Sequence, residues 1–247
     1  MKNIFIYKRI MILCSFIFFS VCIYGIICII KGSEKIIATN ALPITNKVIV
    51  IDAGHGLPDE GAKGFYGTTE QAINLSIALK LQKIIEQSGA KVYLTRSDEN
   101  GIYSLDSKTI KEKKISDTKN RVEIGNQNDV DIFISIHLNK FPASSSYRGW
   151  QTFYQKNNED SIFLANSIQE NLNKNINIQN NRKPLPINNV YIMEKLNVPS
   201  IIVECGFLSN EEETKNLKNE KYQNKIAWGI YLGIQEYFIK NKGENYG

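Results

Sequence analysis

The chain has 247 residues and a formal net charge of +5, enough length for one good-sized domain with an appendage. Lys2, Lys8, Arg9, Lys31 and Lys35 against Glu34 give +4 over residues 1–35, which leaves +1 for the remainder. A nearly neutral remainder with no dense basic patch excludes a nucleic-acid binder, and the lone Cys205 in that part excludes an internal disulfide there.

The run Ile10–Ile30, "IMILCSFIFFSVCIYGIICII", is uncharged and 21 residues long, enough to cross a bilayer core as a helix. Its basic flank belongs in the cytoplasm, so the rest of the chain is expected outside it. Residues 1–31 therefore read as an N-terminal transmembrane anchor or a signal segment. The polar stretch 32–46, with Pro43, reads as a linker. Residues 47–240 form the expected folded domain and 241–247 a tail.

From Lys47 onward apolar runs alternate with helical patterns. "VIVID" is a short β-branched strand. In "TTEQAINLSIALKLQKIIEQSG", Ile73, Ile77, Leu81 and Ile84 recur at helical spacing, with Thr68 or Thr69 as cap and Gly89 as stop. "KVYLT" is the next strand. Ser97 to Lys119 is a long polar stretch read as an insert, followed by a helix around Arg121 to Gln127. "DIFISIH" is a buried strand and "GWQTFYQ" alternates like an edge strand. Ser161 to Asn173 reads as a helix, "PSIIVEC" as a buried strand, and Tyr222 to Phe238 as a closing amphipathic helix. This order predicts an α/β domain with a mainly parallel central sheet and helices on both faces, preceded by one transmembrane helix.

Three apolar strands end in a potential ligand or base. "VIVID" runs into Ala-Gly-His55, "DIFISI" ends in His137, and "SIIV" ends in Glu204. In open parallel sheets, ligands bind beyond the carboxyl ends of strands. Imidazoles are common zinc ligands, and a catalytic zinc site keeps three protein ligands and an open position. Glu70, at the start of the helix after the His55 loop, is the best-placed third ligand. Each residue also has a structural reading. A lone histidine is often simply hydrogen-bonded, Glu70 could complement a helix dipole, and Glu204 could pair with an arginine. Cys205 should face away from Glu204 and pack as a small apolar residue.

The stretches "IVIDAGHG…DEGAKG…TTE", "LTRSD", "DIFISIHLN" and "VECGFLSNEEE" resemble the zinc-dependent N-acetylmuramoyl-L-alanine amidases of the cell-wall amidase 3 family. The resemblance covers about Lys47 to Phe238. Within the family, "SIHLNKFPASSSYRGWQTFY" and "AWGIYLGIQEYF" resemble the germination-specific amidases of spore-forming bacteria. The resemblance implies one zinc ion on His55, Glu70 and His137, with Glu204 as the catalytic glutamate. Arg182 and Asn139 are candidate substrate contacts. The family's usual Pro, Gly and Ala-Asn are replaced by Ala53, Leu57 and Gly125-Asn126, none of them a ligand.

The implied reaction is cleavage of the amide between N-acetylmuramic acid and L-alanine in peptidoglycan, in spore cortex, on the way to muramic δ-lactam. The implied partners are peptidoglycan, the membrane through the N-terminal helix, and a protein that activates the enzyme or loads its zinc. The implied location is the extracytoplasmic membrane face or the intermembrane space of the developing spore. Two other readings stand beside this one. The first is a non-catalytic or partner-activated peptidoglycan-binding domain. The second is a zinc carboxypeptidase, which usually needs an HxxE pair where His55 has Pro58 at that offset.

Overall fold

The computed structural model describes residues 11, 15–28, 42–127 and 129–244. Residues 15–28 are helical and belong to a separate unit from Pro43–Gly247. Residues 1–10, 12–14 and 29–31 of the expected anchor, and 32–41 of the expected linker, lie outside the described residues. Among the described residues no helix is long and apolar enough to cross a membrane.

In the larger unit the elements are β1 (Val48–Ala53), α1 (Glu70–Gln87), β2 (Lys91–Leu94), α2 (Ile110–Gly125), β3 (Ile132–Asn139), β4 (Gln151–Gln155), α3 (Glu159–Asn175), β5 (Leu185–Ile187), α4 (Tyr191–Lys195), β6 (Ser200–Phe207), α5 (Glu211–Lys218) and α6 (Glu220–Glu244). The strands form one sheet in the order β2-β1-β3-β6-β4-β5. β1 is parallel to β2 and β3, and β3 is parallel to β6. β4 runs antiparallel to β6, and β5 runs parallel to β4.

Strand alternation divides the sheet between two cores. Ile49, Ile51, Ile134, Ile136, Ile201 and Val203 point to one face, where they meet Ile77 and Leu81 of α1, Leu164 and Ile168 of α3, and Ile230 and Ile234 of α6. Val50, Phe133 and Ile202 point to the other, against Val122 of α2 and Ile192 and Met193 of α4. Each fully buried isoleucine contributes about 1.5–3 kcal/mol by leaving water. Cys205 is fully buried in the first core, on the face opposite Glu204, and burial pushes its thiol well above the usual range. A buried thiol of this kind is inert as a nucleophile.

Several local expectations change. α2 begins at Ile110, inside the supposed insert, and Thr109 and Glu112 close a capping box at its start. It escapes an apolar-periodicity test because only Arg121 and Gly125 of its residues are buried. β4 is not at the edge, because β5 pairs beyond it. The helices α4 and α5 are short, 5 and 8 residues, so neither fills the window over which an apolar period can be read.

This order makes a topological switch. From β1 the chain crosses to β2 through α1, then returns past β1 to β3 through α2. Beyond the carboxyl ends of β1 and β3 the connections diverge and leave a crevice.

Candidate metal centre and active-site cleft

His55 lies just after β1, Glu70 opens α1, and His137 and Glu204 are register partners on β3 and β6. All four therefore stand at the switch-point end of the sheet. One ligand atom from each of His55, Glu70 and His137 lies within 4.8 Å of the other two. Glu70 is buried between the imidazoles, with Oε2 3.2 Å from His55 Nε2 and Oε1 3.0 Å from His137 Nδ1. The backbone N–H groups of Ala62 and Leu138 donate to the same carboxylate at 2.8 and 3.0 Å. Burial alone would raise the Glu70 pKa, but the two histidines outweigh it and hold the carboxyl well below its ordinary range.

The local backbone explains how the imidazoles meet. His55 itself adopts a left-handed φ of +62°. That conformation costs a non-glycine residue of order 1–3 kcal/mol and persists only where the surroundings impose it. Two buried arginines do so. Arg96 Nε and Arg121 Nη1 each donate to the Ala53 carbonyl at 2.8 Å. Arg96 Nη2 and Asn74 Nδ2 donate to the Gly54 carbonyl, both at 3.1 Å, and Arg121 Nη2 donates to the His55 carbonyl. Three successive carbonyls are thus clamped from within. Arg121 also pairs with the buried Asp52, which accepts hydrogen bonds from Thr95 and Ser135. Burial alone would raise the Asp52 pKa, but the Arg121 charge and these hydrogen bonds hold it low.

The flanking glycines have steric roles. A Cβ on Gly54 would lie 2.3 Å from His137 Nε2, so the missing side chain is where that ring sits. A Cβ on Gly61, whose φ is +68°, would lie 2.6 Å from Glu70 Oε2 and 2.7 Å from His55 Cδ2. The two glycines leave the space that the imidazoles and the carboxylate fill.

The donor set fits a divalent transition metal. Two imidazoles and one carboxylate is a recurrent zinc set. Asp59 Oδ2 lies 3.0 Å from His55 Nδ1, an outer carboxylate that fixes the tautomer and leaves Nε2 as the ligand atom. Burial would lower the His55 pKa, but hydrogen bonds to Asp59 and Glu70 prevail and raise it to about 9. A half-buried imidazolium clasped by two carboxylates occupies the position that a cation would take over.

Glu204 completes the site. Its Oε2 is buried and, among the described residues, has no hydrogen-bond partner, and burial raises its pKa to about 7. It lines a cleft of about 500 Å³ together with His55 and His137, between Tyr103, Lys113 and Lys114 on one side and Ile187, Val190 and Tyr191 on the other. A carboxyl near neutrality beside a metal-type cluster can accept and return a proton.

The two remaining candidates stand apart from this cleft lining. Arg182 lies over the Phe207 ring at 4.7 Å and the Tyr147 ring at 5.6 Å, and donates to the Arg148 carbonyl. Asn139 ends β3 opposite Phe207. Sequence reasoning missed Arg96, Arg121 and Asp59. A signal was available for one of them: an Asp52 at the end of an apolar strand demands a buried cationic partner.

Residues 49–236 match the Amidase_3 family, N-acetylmuramoyl-L-alanine amidase. The chain is 35% identical over 204 residues to a germination-specific N-acetylmuramoyl-L-alanine amidase of Bacillus subtilis, covering 83% of this chain and 84% of that one. Among solved structures it is similar to the CwlD amidase of Clostridioides difficile in complex with the GerS lipoprotein, with a TM-score of 0.75, 47% identity, and 78% of this chain and 98% of that one covered. It is also similar to an N-acetylmuramoyl-L-alanine amidase of Clostridium difficile 630, with a TM-score of 0.68, 30% identity, and coverage of 78% and 97%.

Proposed function

The chain belongs to the N-acetylmuramoyl-L-alanine amidase family, and from that premise we propose that its cleft is a zinc-dependent active site cleaving the amide between N-acetylmuramic acid and L-alanine of peptidoglycan stem peptides. The observation that carries this reading is the convergence of His55, Glu70 and His137 within one ligand sphere, with the unpartnered Glu204 carboxyl on the same cleft.

His55, Glu70 and His137 would hold the zinc. When bound, zinc supplies Lewis-acid chemistry, polarising a carbonyl and bringing the acidity of water into the neutral range. Glu204 is the general base: its carboxylate takes a proton from the attacking water. The same carboxyl then returns that proton to the departing alanine amine. Its burial, which favours the protonated form, helps it hold that proton between the two steps. Asp59 keeps His55 in the required tautomer, and Arg96 and Arg121 hold the strained turn that presents it. Arg182 and Asn139 contact the substrate beyond this centre.

The similarity to germination-specific relatives supports spore cortex as the substrate and muramic δ-lactam as the eventual product. The apolar run Ile10–Ile30 supports a membrane anchor that holds residues 47–240 on the extracytoplasmic face or delivers them to the intermembrane space of the developing spore. The relative solved with a lipoprotein supports a protein partner for activation or zinc loading. The test is muropeptide cleavage by Glu204→Gln and His137→Ala. Both should lose activity, the second together with metal, and intact cleavage by either variant in metal-replete protein overturns the reading.

A further inference from the structure

Among the described residues, one cation of the cleft stands without a carboxylate partner. Its charged lining consists of Asp52, Asp59, Asp117, Glu204, Lys113, Lys114 and Arg121, beside the histidines. Arg121 is taken by Asp52 and Asp117. Lys114 Nζ sits 2.8 Å from Asp59 Oδ1. Lys113 is half-buried and, among the described residues, has no carboxylate partner; its Nζ lies 4.6 Å from the centre of the Tyr103 ring. That ring face holds the ammonium electrostatically without neutralising it. The wall across the cleft, with Ile187, Val190, Ile192 and Ile202, is largely apolar.

The substrate has the matching asymmetry, on the reading that this cleft is an amidase site. The sugar side of the scissile amide is neutral, because its carboxyl is consumed in the bond. Only the peptide side carries carboxylates. We propose that Lys113, steadied by Tyr103, is a specificity residue that binds a carboxylate of the stem peptide and so lays the peptide along α2, with the glycan toward the other wall. A half-buried ammonium without a partner gains more from an incoming carboxylate than a solvated surface lysine does. The segment first read as an insert thereby acquires a function, since Tyr103 and Lys113 both lie in it.

The test uses the zinc-loaded protein and three matched muropeptides: one with free carboxylates, one amidated at the peptide C-terminus, and one amidated at its acidic side chain. Both kcat/KM and binding are measured. The wild type should prefer the free acid over one of the amides, and which amide suffers identifies the carboxylate. Lys113→Gln should reduce that preference about tenfold. Lys113→Arg should restore most of it, and added salt should erode it in the wild type. The proposal is overturned if Lys113→Gln keeps the wild-type preference, or if it weakens acid and amide equally, as a merely structural residue would. If no substrate is cleaved, the amidase reading fails. The binding preference then decides on Lys113 by itself: lost in Lys113→Gln it supports the proposal, and retained it overturns it.

Discussion

Gly54→Ala tests the seating of His137 most sharply. The added Cβ would lie 2.3 Å from Nε2, 2.4 Å from Cε1 and 2.7 Å from Cδ2 of that ring. Carbon contacts settle near about 3.5 Å, so the ring must retreat by roughly 1.2 Å. It has little room, because its Nδ1 is 3.0 Å from Glu70 Oε1. Metal–ligand distances hold to about 0.2 Å, so the displacement takes His137 out of the ligand sphere. Zinc affinity should fall at least about 100-fold, the upper end of what outer-sphere changes alone produce. Overpacking should cost only about 1–3 kcal/mol, so the domain remains folded. Gly67→Ala is the control: its φ is also positive, +67°, but a Cβ there meets nothing within 4 Å. It should cost about 1–2 kcal/mol and leave metal binding alone. Competition against a chromophoric chelator reads the affinity, and thermal melting reads the fold. Wild-type zinc affinity in Gly54→Ala refutes the placement of this ring as a ligand.

Glu204→Gln should keep zinc and the fold while kcat/KM on muropeptides drops about 10²–10⁴-fold, the usual worth of a general acid–base group; loss of metal instead would reassign the residue as a ligand. Arg121→Met strands the Asp52 carboxylate among Thr95 and Ser135. It should destabilise the domain by about 3–5 kcal/mol and lower Tm on the order of 10 °C, read by calorimetry; an unchanged Tm contradicts the buried pairing. The pH dependence of metal binding follows from His55. Its metal-free pKa is about 9, so below that value zinc must displace a proton. Apparent affinity should climb about tenfold per pH unit until roughly pH 9 and then level, with matching proton release in titrations run in two buffers.

The strands were legible because β1, β3 and β6 are near-continuous apolar runs, as strands buried on both faces must be. His55, His137 and Glu204 were legible for the same reason, as polar groups that close these apolar runs in the sequence, although in the fold β3 continues to Asn139 and β6 to Phe207. Glu70 was placed by its position at a helix start. The start of α2 was hidden because a helix exposed along most of its length, as this one is, shows no apolar stripe. The clamp of Arg96 and Arg121 on the Ala53–His55 carbonyls was hidden for another reason. Side chains far apart in sequence meet backbone there, and spacing carries no record of it. Glycines beside a histidine after a strand read most simply as turn residues. In the folded chain Gly54 makes room for His137, and His55 itself takes the left-handed conformation.

The most direct test of the central claim is digestion of cortex and vegetative muropeptides with residues 43–247, which form a unit by themselves, in chelator and with zinc restored. Mass spectrometry and end-group analysis should find new L-alanine amino termini and peptide-free muramic acid with zinc, and neither in chelator. Release of carboxy-terminal amino acids, or binding with no cleavage of either substrate in zinc-replete protein, would contradict it.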